Sequence, residues 1–488
     1  MSCAIFQATG GFATLRDKGL EMSSLTPIRV ARDAWTTQRG GSPVINQRQR
    51  VRLAELVRYA RARAPFYQEL YRDLPANLDD IRALPPVTKP DLMDRFDQWL
   101  TDPAVHRADL EAWTKDLSHL GQDYLSQYLV CTTSGSSGTP AILVLDHREL
   151  AVMNGLGYIR ALSSLLSLRI IWAILRTGGR SAAVFATGGH FLGAALMARR
   201  QRAMPWRANR YRLFSALSPL AEIVAGLNTF QPGLLSAYPS ALLLLAGEQA
   251  AGRLHIRPSF LGSAGETLTQ SGRKEIEAAF GCSVVDLYNA TEVNGSTFVC
   301  RLGAMHYSSD WFVFEPVDEQ RRPVPAGVPS HSLLVTNLAN YIQPVIRYEL
   351  GDSVTMLPGR CRCGSPFPHF RVEGRTDEIL SFPRDDGSEV NLLPLALETV
   401  VEETPGLRRF QLVQTGPRAL VLRMEPQPGA VDSNVWLTAE AHLQSYLHER
   451  GLHDITIVRS PDAPRQNARG GKLRHVWRDF NARTPVLV

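Results

Sequence analysis

Between residues 215 and 290 the hydrophobic period switches repeatedly between helical and strand-like, and no other feature of the sequence narrows the fold as much. The pattern predicts helix 219–229, strand 233–237, helix 240–251, strand 258–263, helix 269–280 and strand 283–288. Alternation of this kind argues for a parallel sheet with crossover helices. In such a sheet, ligands bind beyond the carboxyl ends of the strands. Those ends read Ser236-Ala-Tyr-Pro-Ser240, Ser263-Ala-Gly-Glu266 and Asp286-Leu-Tyr-Asn-Ala-Thr-Glu292, so three small, polar clusters are expected on one rim.

The chain has 488 residues, which favours two or three domains at about 150 residues each. Helices are expected over 47–64 and 109–120, with a proline-marked break at 84–90. A Pro-rich joint at 322–329 precedes a strand over 333–336 and another ending in Arg347-Tyr-Glu-Leu-Gly-Asp352. Past Gly374 the pattern changes to strands near 408–414, 418–424 and 454–458 and a helix near 437–449, a small α+β domain joined near 377. The expected fold is α/β. A large N-terminal domain over 1–376, with parallel and mixed sheets and helices, is followed by a C-terminal domain over 377–488.

Hydrophobic residues at 44% and charged residues at 20% exclude a largely disordered chain or a coiled coil. A net charge of +6 without a dense Lys/Arg run argues against nucleic-acid binding. The first residues lack a basic segment followed by an apolar one. The most apolar stretch, 161–175, is short for a membrane span and carries Arg169, so a buried helix is expected there and a cytoplasmic protein overall.

The sharpest local signal is Thr132-Thr-Ser-Gly-Ser-Ser-Gly-Thr-Pro140 between two strand-like runs, 125–130 and 142–145. Small residues and hydroxyls let backbone N–H and side-chain O–H groups wrap a phosphate. No Gly-Lys-Ser/Thr ending is present, so this is not the P-loop signature, and a flexible hairpin turn is the competing reading. In Tyr288-Asn-Ala-Thr-Glu292 a carboxylate beside a hydroxyl suits Mg²⁺ shared with a phosphate, although an ordinary surface Thr-Glu fits as well. Asp352, after a glycine at a strand end, suits ribose hydroxyls, with a structural aspartate as the alternative.

Of 53 Lys and Arg residues only five are lysines, at 18, 89, 115, 274 and 472, so Lys472 in Arg469-Gly-Gly-Lys-Leu-Arg474 stands alone in an arginine-rich region. The six cysteines read as thiols or metal ligands rather than a disulfide framework. Cys300, His306, Cys361 and Cys363 make a set of three thiolates and one imidazole suited to tetrahedral structural Zn²⁺, with unconnected thiols as the alternative.

Taken in order, the hydroxyl-rich loop, Ser-Ala-Gly-Glu, Tyr-x-Ala-Thr-Glu, Arg-Tyr-x-x-Gly-Asp, Gly374-Arg-Thr-Asp377 and Gly471-Lys472 resemble the adenylate-forming superfamily of acyl-CoA synthetases, adenylation domains and luciferases. Ala64-Pro-Phe-Tyr-Gln-Glu-Leu-Tyr71, Leu84-Pro-Pro-Val-Thr-Lys-Pro-Asp91, Ala141 in place of a lysine after Pro140, and the Cys-x-Cys segment make the chain most similar to the phenylacetate-CoA ligase branch.

The resemblance implies roles for the matching positions. Thr133, Ser134, Gly135, Ser136, Ser137, Gly138 and Thr139 would cradle the β and γ phosphates of ATP. Gly265, Glu266, Asp286 and Tyr288 would form the adenine pocket, Thr291 would contact the α-phosphate, and Glu292 would bind Mg²⁺. Asp352 and Arg375 would hold the ribose, Asp377 would be the hinge, and Lys472 would bridge the carboxylate and the α-phosphate. His190, Tyr238 and Asn289 would wall the acyl pocket, although a histidine beside glycines also serves as a loop hydrogen-bonder.

Asn289 replaces the usual glycine, Glu349-Leu350 replaces Arg-Thr, and 382–388 departs from the family's short glycine loop. The implied function is an ATP-dependent ligase that forms acyl-AMP from an aryl carboxylic acid and transfers the acyl group to coenzyme A. Other acceptors stay open: an amine, a carrier-protein thiol, or nitrite activation towards an aryl amine. So does a non-catalytic nucleotide-binding protein. The implied partners are small molecules, with no nucleic acid and no membrane, and a carrier protein or homodimer is left open.

Overall fold

Four helices alternate with five strands at the centre of the molecule, and each crossover helix is long enough to return the chain to the start of the next strand. The structure, a computed structural model, describes residues 25–75, 80–133, 141–161, 171, 175–384, 387–466 and 472–480. Its central sheet has the order Tyr211–Ser215, Ser181–Phe185, Leu234–Ala237, Phe260–Ala264, Val284–Leu287, with every neighbouring pair parallel. The last three strands and the helices Leu220–Phe230, Pro239–Ala250 and Gln270–Phe280 lie within two residues of the ranges expected from periodicity.

Local chemistry sets the ends of these elements. Thr269 caps the helix Gln270–Phe280 by accepting from the Gly272 N–H, and Gly281 ends it at φ +64. Leu227, Leu242, Leu245 and Ile276 of the helices bury against Leu235, Leu261 and Val284 of the sheet. Register places Ala237 beside Ser263 and Ser263 beside Asp286, so the three polar strand ends finish at one level.

Antiparallel sheets flank this unit. Asp123–Tyr124, Tyr128–Thr132 and Ile142–Leu145 form one, Phe312–Val317, Ser332–Asn337 and Val345–Glu349 another. A third has the order Asp352–Met356, His369–Arg375, Met305–Tyr307, Thr297–Val299. They share a large apolar cluster with the N-terminal segment, through residues such as Leu56, Leu129, Val144, Phe312 and Leu333. The segment Pro27–Arg63 is two helices meeting at Gly41, whose φ 71 and ψ −167 are non-helical, so the helix expected from 47 begins just after Gly41 and a further helix from Pro27 precedes it.

Of the apolar stretch 161–175, most lies outside the described residues. Ile171 and Leu175 are 41% and 69% exposed, contrary to the burial expected there. Among the described residues no helix is long and apolar enough to cross a membrane.

From Leu380 onward the chain packs around a cluster of its own, including Leu397, Phe410, Leu412, Leu422 and Leu443. A hairpin, Leu380–Pro383 with Glu389–Leu392, precedes the helix Pro394–Glu402. The strands Leu407–Gly416 and Ala419–Pro426 pair antiparallel, and Val476–Arg478 and Thr456–Arg459 add parallel edges on either side. The helix Asp432–His448 covers this sheet, five residues ahead of its expected start at 437.

One buried ion cluster ties the N-terminal segment to the antiparallel sheets. Arg160 meets both Asp310 carboxylate oxygens at 2.7 and 2.9 Å, and Arg52 reaches the Asp310 carbonyl at 2.7 Å. Burial alone would raise the Asp310 carboxyl, but the two guanidinium groups outweigh it and hold it below the usual range. Removing one partner would strand a buried guanidinium. Asp310→Ala is expected to lower stability by about 3–5 kcal/mol, with chemical denaturation as the measurement.

Candidate active site

The carboxyl ends of the parallel strands open into a cleft of about 1640 Å³. Gly265, at φ +86, ends the strand Phe260–Ala264; a Cβ there would stand 3.1 Å from Tyr238 Cε1 and 3.4 Å from Lys472 Cε. Glycine therefore allows the Tyr238 ring and the Lys472 stem to close on the rim. Next to it, the Glu266 carboxylate accepts from the Ser240 N–H at 3.0 Å, the Ser240 hydroxyl at 3.1 Å and the Leu473 N–H at 2.7 Å. Burial raises its pKa, against the pull of these bonds and of Lys472. Asp286, one strand over, accepts from the Ser263 hydroxyl at 2.9 Å, and burial raises it too.

Tyr288, Asp352 and Arg375 meet as one group. The tyrosine hydroxyl donates to one Asp352 oxygen at 2.5 Å and Arg375 to the other at 3.1 Å. Asp352 and Arg375 face each other across paired strands, so sheet register brings them together. The Phe370 ring packs edge-on against Tyr288 at 5.8 Å.

Glu292 sits in the turn Thr291–Val293. Its carbonyl accepts at 3.0 Å from Asn337 Nδ2, which also donates to the buried Glu149 at 2.8 Å. Burial raises the Glu292 carboxyl, and nearby Asp352 adds to the rise while Arg375 and Lys89 oppose it.

Lys89 also lines the cleft, although in the sequence it is simply part of the Leu84–Asp91 segment that marks the branch. Arg347 places it: held at φ 47, this arginine pairs with Glu315 at 3.1 Å, donates to the Leu84 carbonyl at 2.5 Å, and accepts from the Val87 N–H at 3.0 Å through its own carbonyl. Burial lowers the Lys89 amine, and Glu292 opposes that shift. Its signal in the sequence was its rarity, one of five lysines, in a segment bracketed by prolines.

Lys472 lies in the cleft with its ammonium 5.8 Å from the Tyr238 ring centroid. Burial lowers its pKa, and Arg375 acts in the same direction; Glu266, Asp352 and Glu378 oppose them. Thr133 lines the opposite part of the cleft, at the base of the hydroxyl-rich loop, where its hydroxyl accepts from the Ala141 N–H at 2.9 Å. Ser134, Gly135, Ser136, Ser137, Gly138 and Thr139 lie outside the described residues, as does the side chain of Asp377, whose backbone forms the turn Thr376–Glu378.

The three acyl-pocket expectations separate. Tyr238 and Asn289 line the cleft, but the Asn289 amide is engaged by Asn294 at 2.7 Å, and the Tyr238 hydroxyl accepts from the Ala186 N–H at 3.3 Å. His190 is 1% exposed and donates through Nε2 to the Asp116 carbonyl at 3.1 Å; it is not among the residues lining the cleft. The structure gives it the loop-bonding place rather than one on the pocket wall, because the strand pairing of Thr132 with Phe191 fixes its backbone and turns the ring away.

The expected metal ligands do come together: the donor atoms of Cys300, His306, Cys361 and Cys363 lie within 4.8 Å of one another. His306 Nδ1 donates to the Phe367 carbonyl at 3.0 Å, which leaves the Nε2 lone pair facing the sulfurs, with Cys363 Sγ at 3.5 Å.

No family model matches the chain. In sequence it is 28% identical over 263 residues to the phenylacetate-coenzyme A ligase of Escherichia coli (strain K12), a match covering 50% of this chain and 58% of that protein. The chain thus spans little more than half the length of this curated relative, and less of the others it matches. A crystal structure of 2-hydroxyisobutyryl-CoA ligase in the postadenylation state, in complex with 2-HIB-AMP, superposes with a TM-score of 0.65 at 21% identity, over 90% of each chain. The same ligase in the thioesterification state, with 2-HIB-AMP and CoA, gives 0.51 at 21% identity over 89% of each chain. This chain has the fold of the adenylate-forming superfamily and is similar in sequence to its phenylacetate-CoA ligase branch.

Proposed function

We propose that the chain is an AMP-forming acid–CoA ligase acting on an aryl carboxylic acid. The observation that carries this reading is the place of Lys472, delivered by the C-terminal part of the chain to a rim where Gly265, Glu266, Tyr288, Asp352 and Arg375 also converge.

In the first step a carboxylate oxygen attacks the α-phosphorus of ATP, and the bond from that phosphorus to pyrophosphate breaks. Two anions must approach, so a compact ammonium on a flexible stem, Lys472, neutralises both while Thr291 contacts the α-phosphate. Adenine lies against Tyr288 and the Gly265–Glu266 rim with Asp286 facing its amino group; Asp352 and Arg375 hold the ribose. Thr133, with residues 134–139, would cradle the outer phosphates, and Lys89, near Glu292, adds a second cation to the cleft. The residues would fit Mg²⁺: Glu292 offers a half-buried carboxylate and the Asp352 carboxylate lies near it. When bound there, the ion neutralises phosphate charge.

Phe191, Leu192, Tyr238 and Ala290 also line the cleft and support an aryl acid, since the polar groups of Asn289 and Tyr238 have internal partners. In the second step the CoA sulfur attacks the acyl carbon and the carbon–oxygen bond to AMP breaks. We assign this step to a rotated arrangement in which residues 377–488 turn about Asp377 and withdraw Lys472.

The Cys300, His306, Cys361, Cys363 set supports structural Zn²⁺, because four donors at this spacing satisfy a tetrahedral ion and leave no position for substrate.

Lys472→Ala is expected to slow acyl-AMP formation by about 10²–10³-fold or more while leaving thioester formation from supplied acyl-AMP largely intact, measured as two separate half-reactions. Equal loss in both halves would contradict the assignment. Gly265→Val puts a β-branched side chain at φ +86 against Tyr238 and Lys472, and is expected to raise KM for ATP about tenfold and to lower Tm. Elemental analysis of the purified protein is expected to find one zinc per chain, lost with a drop in Tm in Cys361→Ser; a wild-type protein without zinc would refute the metal.

A further inference from the structure

Catalysis by Lys472 requires the whole C-terminal part of the chain to be held against the large one, and Lys472 and Leu473 supply only a narrow contact for that. A second contact lies on the helix Pro394–Glu402. Its Leu397 and Val401 face the core of the C-terminal part, while Glu398 and Glu402, one position on and one turn apart, face the other way. The helix begins against Gly374 of the large part, where any Cβ would stand 2.9 Å from Pro394. At its far end the Glu402 carboxylate accepts from the hydroxyls of Thr269 and Ser271, the second at 2.8 Å.

Thr269 is the N-cap of the helix Gln270–Phe280 and begins three residues past Glu266. Its oxygen accepts from the Gly272 N–H while its hydrogen goes to Glu402, and the carboxylate gains from the positive end of that helix. Glu398, 3% exposed, lies beside Thr267, so both glutamates face the segment that follows the adenine rim.

We propose that Glu402 is a positioning residue for adenylation: by docking the helix Pro394–Glu402 onto Thr269 and Ser271 it holds Lys472 in the cleft, and the contact serves only the first half-reaction. The inference rests on the ligase reading. Glu402 touches neither substrate, and its effect runs through the placement of Lys472. A contact that only stabilised the fold would instead lower both half-reactions together.

The test compares Glu402→Ala, Glu402→Gln and Ser271→Ala. Glu402→Ala is expected to slow acyl-AMP formation about tenfold or more, the scale of losing hydrogen bonds to a charged group, with thioester formation from supplied acyl-AMP within about twofold of wild type. Glu402→Gln keeps an acceptor and is expected to recover part of the loss. Ser271→Ala is expected to cost little more once Glu402 is gone, as for two residues sharing one interaction. Equal slowing of both halves, or unchanged adenylation, would overturn the proposal. Hydrogen exchange reads the docking without any substrate: in Glu402→Ala the amides of 267–273 and 472–475 are expected to exchange faster while those of the parallel strands do not. Unchanged exchange there would overturn the docking role. A wild-type protein that forms no acyl-AMP would instead count against the ligase reading, and the exchange result would still decide the role of Glu402.

Discussion

The carboxylate of Glu266 is the point on which the site depends. It is fixed from its own side by the backbone and hydroxyl of Ser240, and from the far end of the sequence by the Leu473 N–H. Leu473 follows Lys472 directly, so a single bond of 2.7 Å sets where the only lysine of the C-terminal region stands. A buried carboxylate with three donors is costly to leave unpaired. Displacing Leu473 therefore has a definite cost, and an ordered docked state follows from that bond together with the Glu402 contact.

The rest of the cleft is built by register rather than by loops. Ser263 and Asp286 sit side by side because two parallel strands pair there, and Asp352 and Arg375 because two antiparallel strands do. Sites carried on strand ends are held more closely than sites on free loops, which suits a reaction between two anions whose approach tolerates little misplacement. Arg347 extends the same logic. A non-glycine residue in the left-handed region is strained, and here the strain accompanies a guanidinium that grips Glu315 and the Leu84 carbonyl, bringing the Thr88–Lys89 segment to the cleft.

How much of this the sequence held depends on the kind of constraint. The parallel sheet was legible because hydrophobic period is local, and the polar strand ends followed from it. The juxtaposition of Tyr288 with Asp352, 64 residues apart, was expected from motif order and not from any pattern in the residues themselves. Gly41 and Pro43 do break the N-terminal segment; what the sequence pattern leaves out is the helix before them, which Val30 and Ala34 tie to the core that Leu53 and Leu56 also join. For His190 the resemblance implies a place at the acyl pocket and the neighbouring glycines a loop role, and its ring, bonded to the Asp116 carbonyl, takes the second. Glu402 carries no local signature and Lys89 only its rarity between prolines, since each gains its position from a contact more than a hundred residues away in sequence.

If an acid is joined to AMP before it reaches an acceptor, one of its carboxylate oxygens leaves with the AMP. Incubating the protein with Mg·ATP, CoA and an aryl acid carrying ¹⁸O in its carboxylate, then analysing the products by mass spectrometry, is expected to give acyl-CoA and AMP bearing one ¹⁸O. Acyl-CoA accompanied by unlabelled AMP, or by ADP and phosphate, would contradict the account.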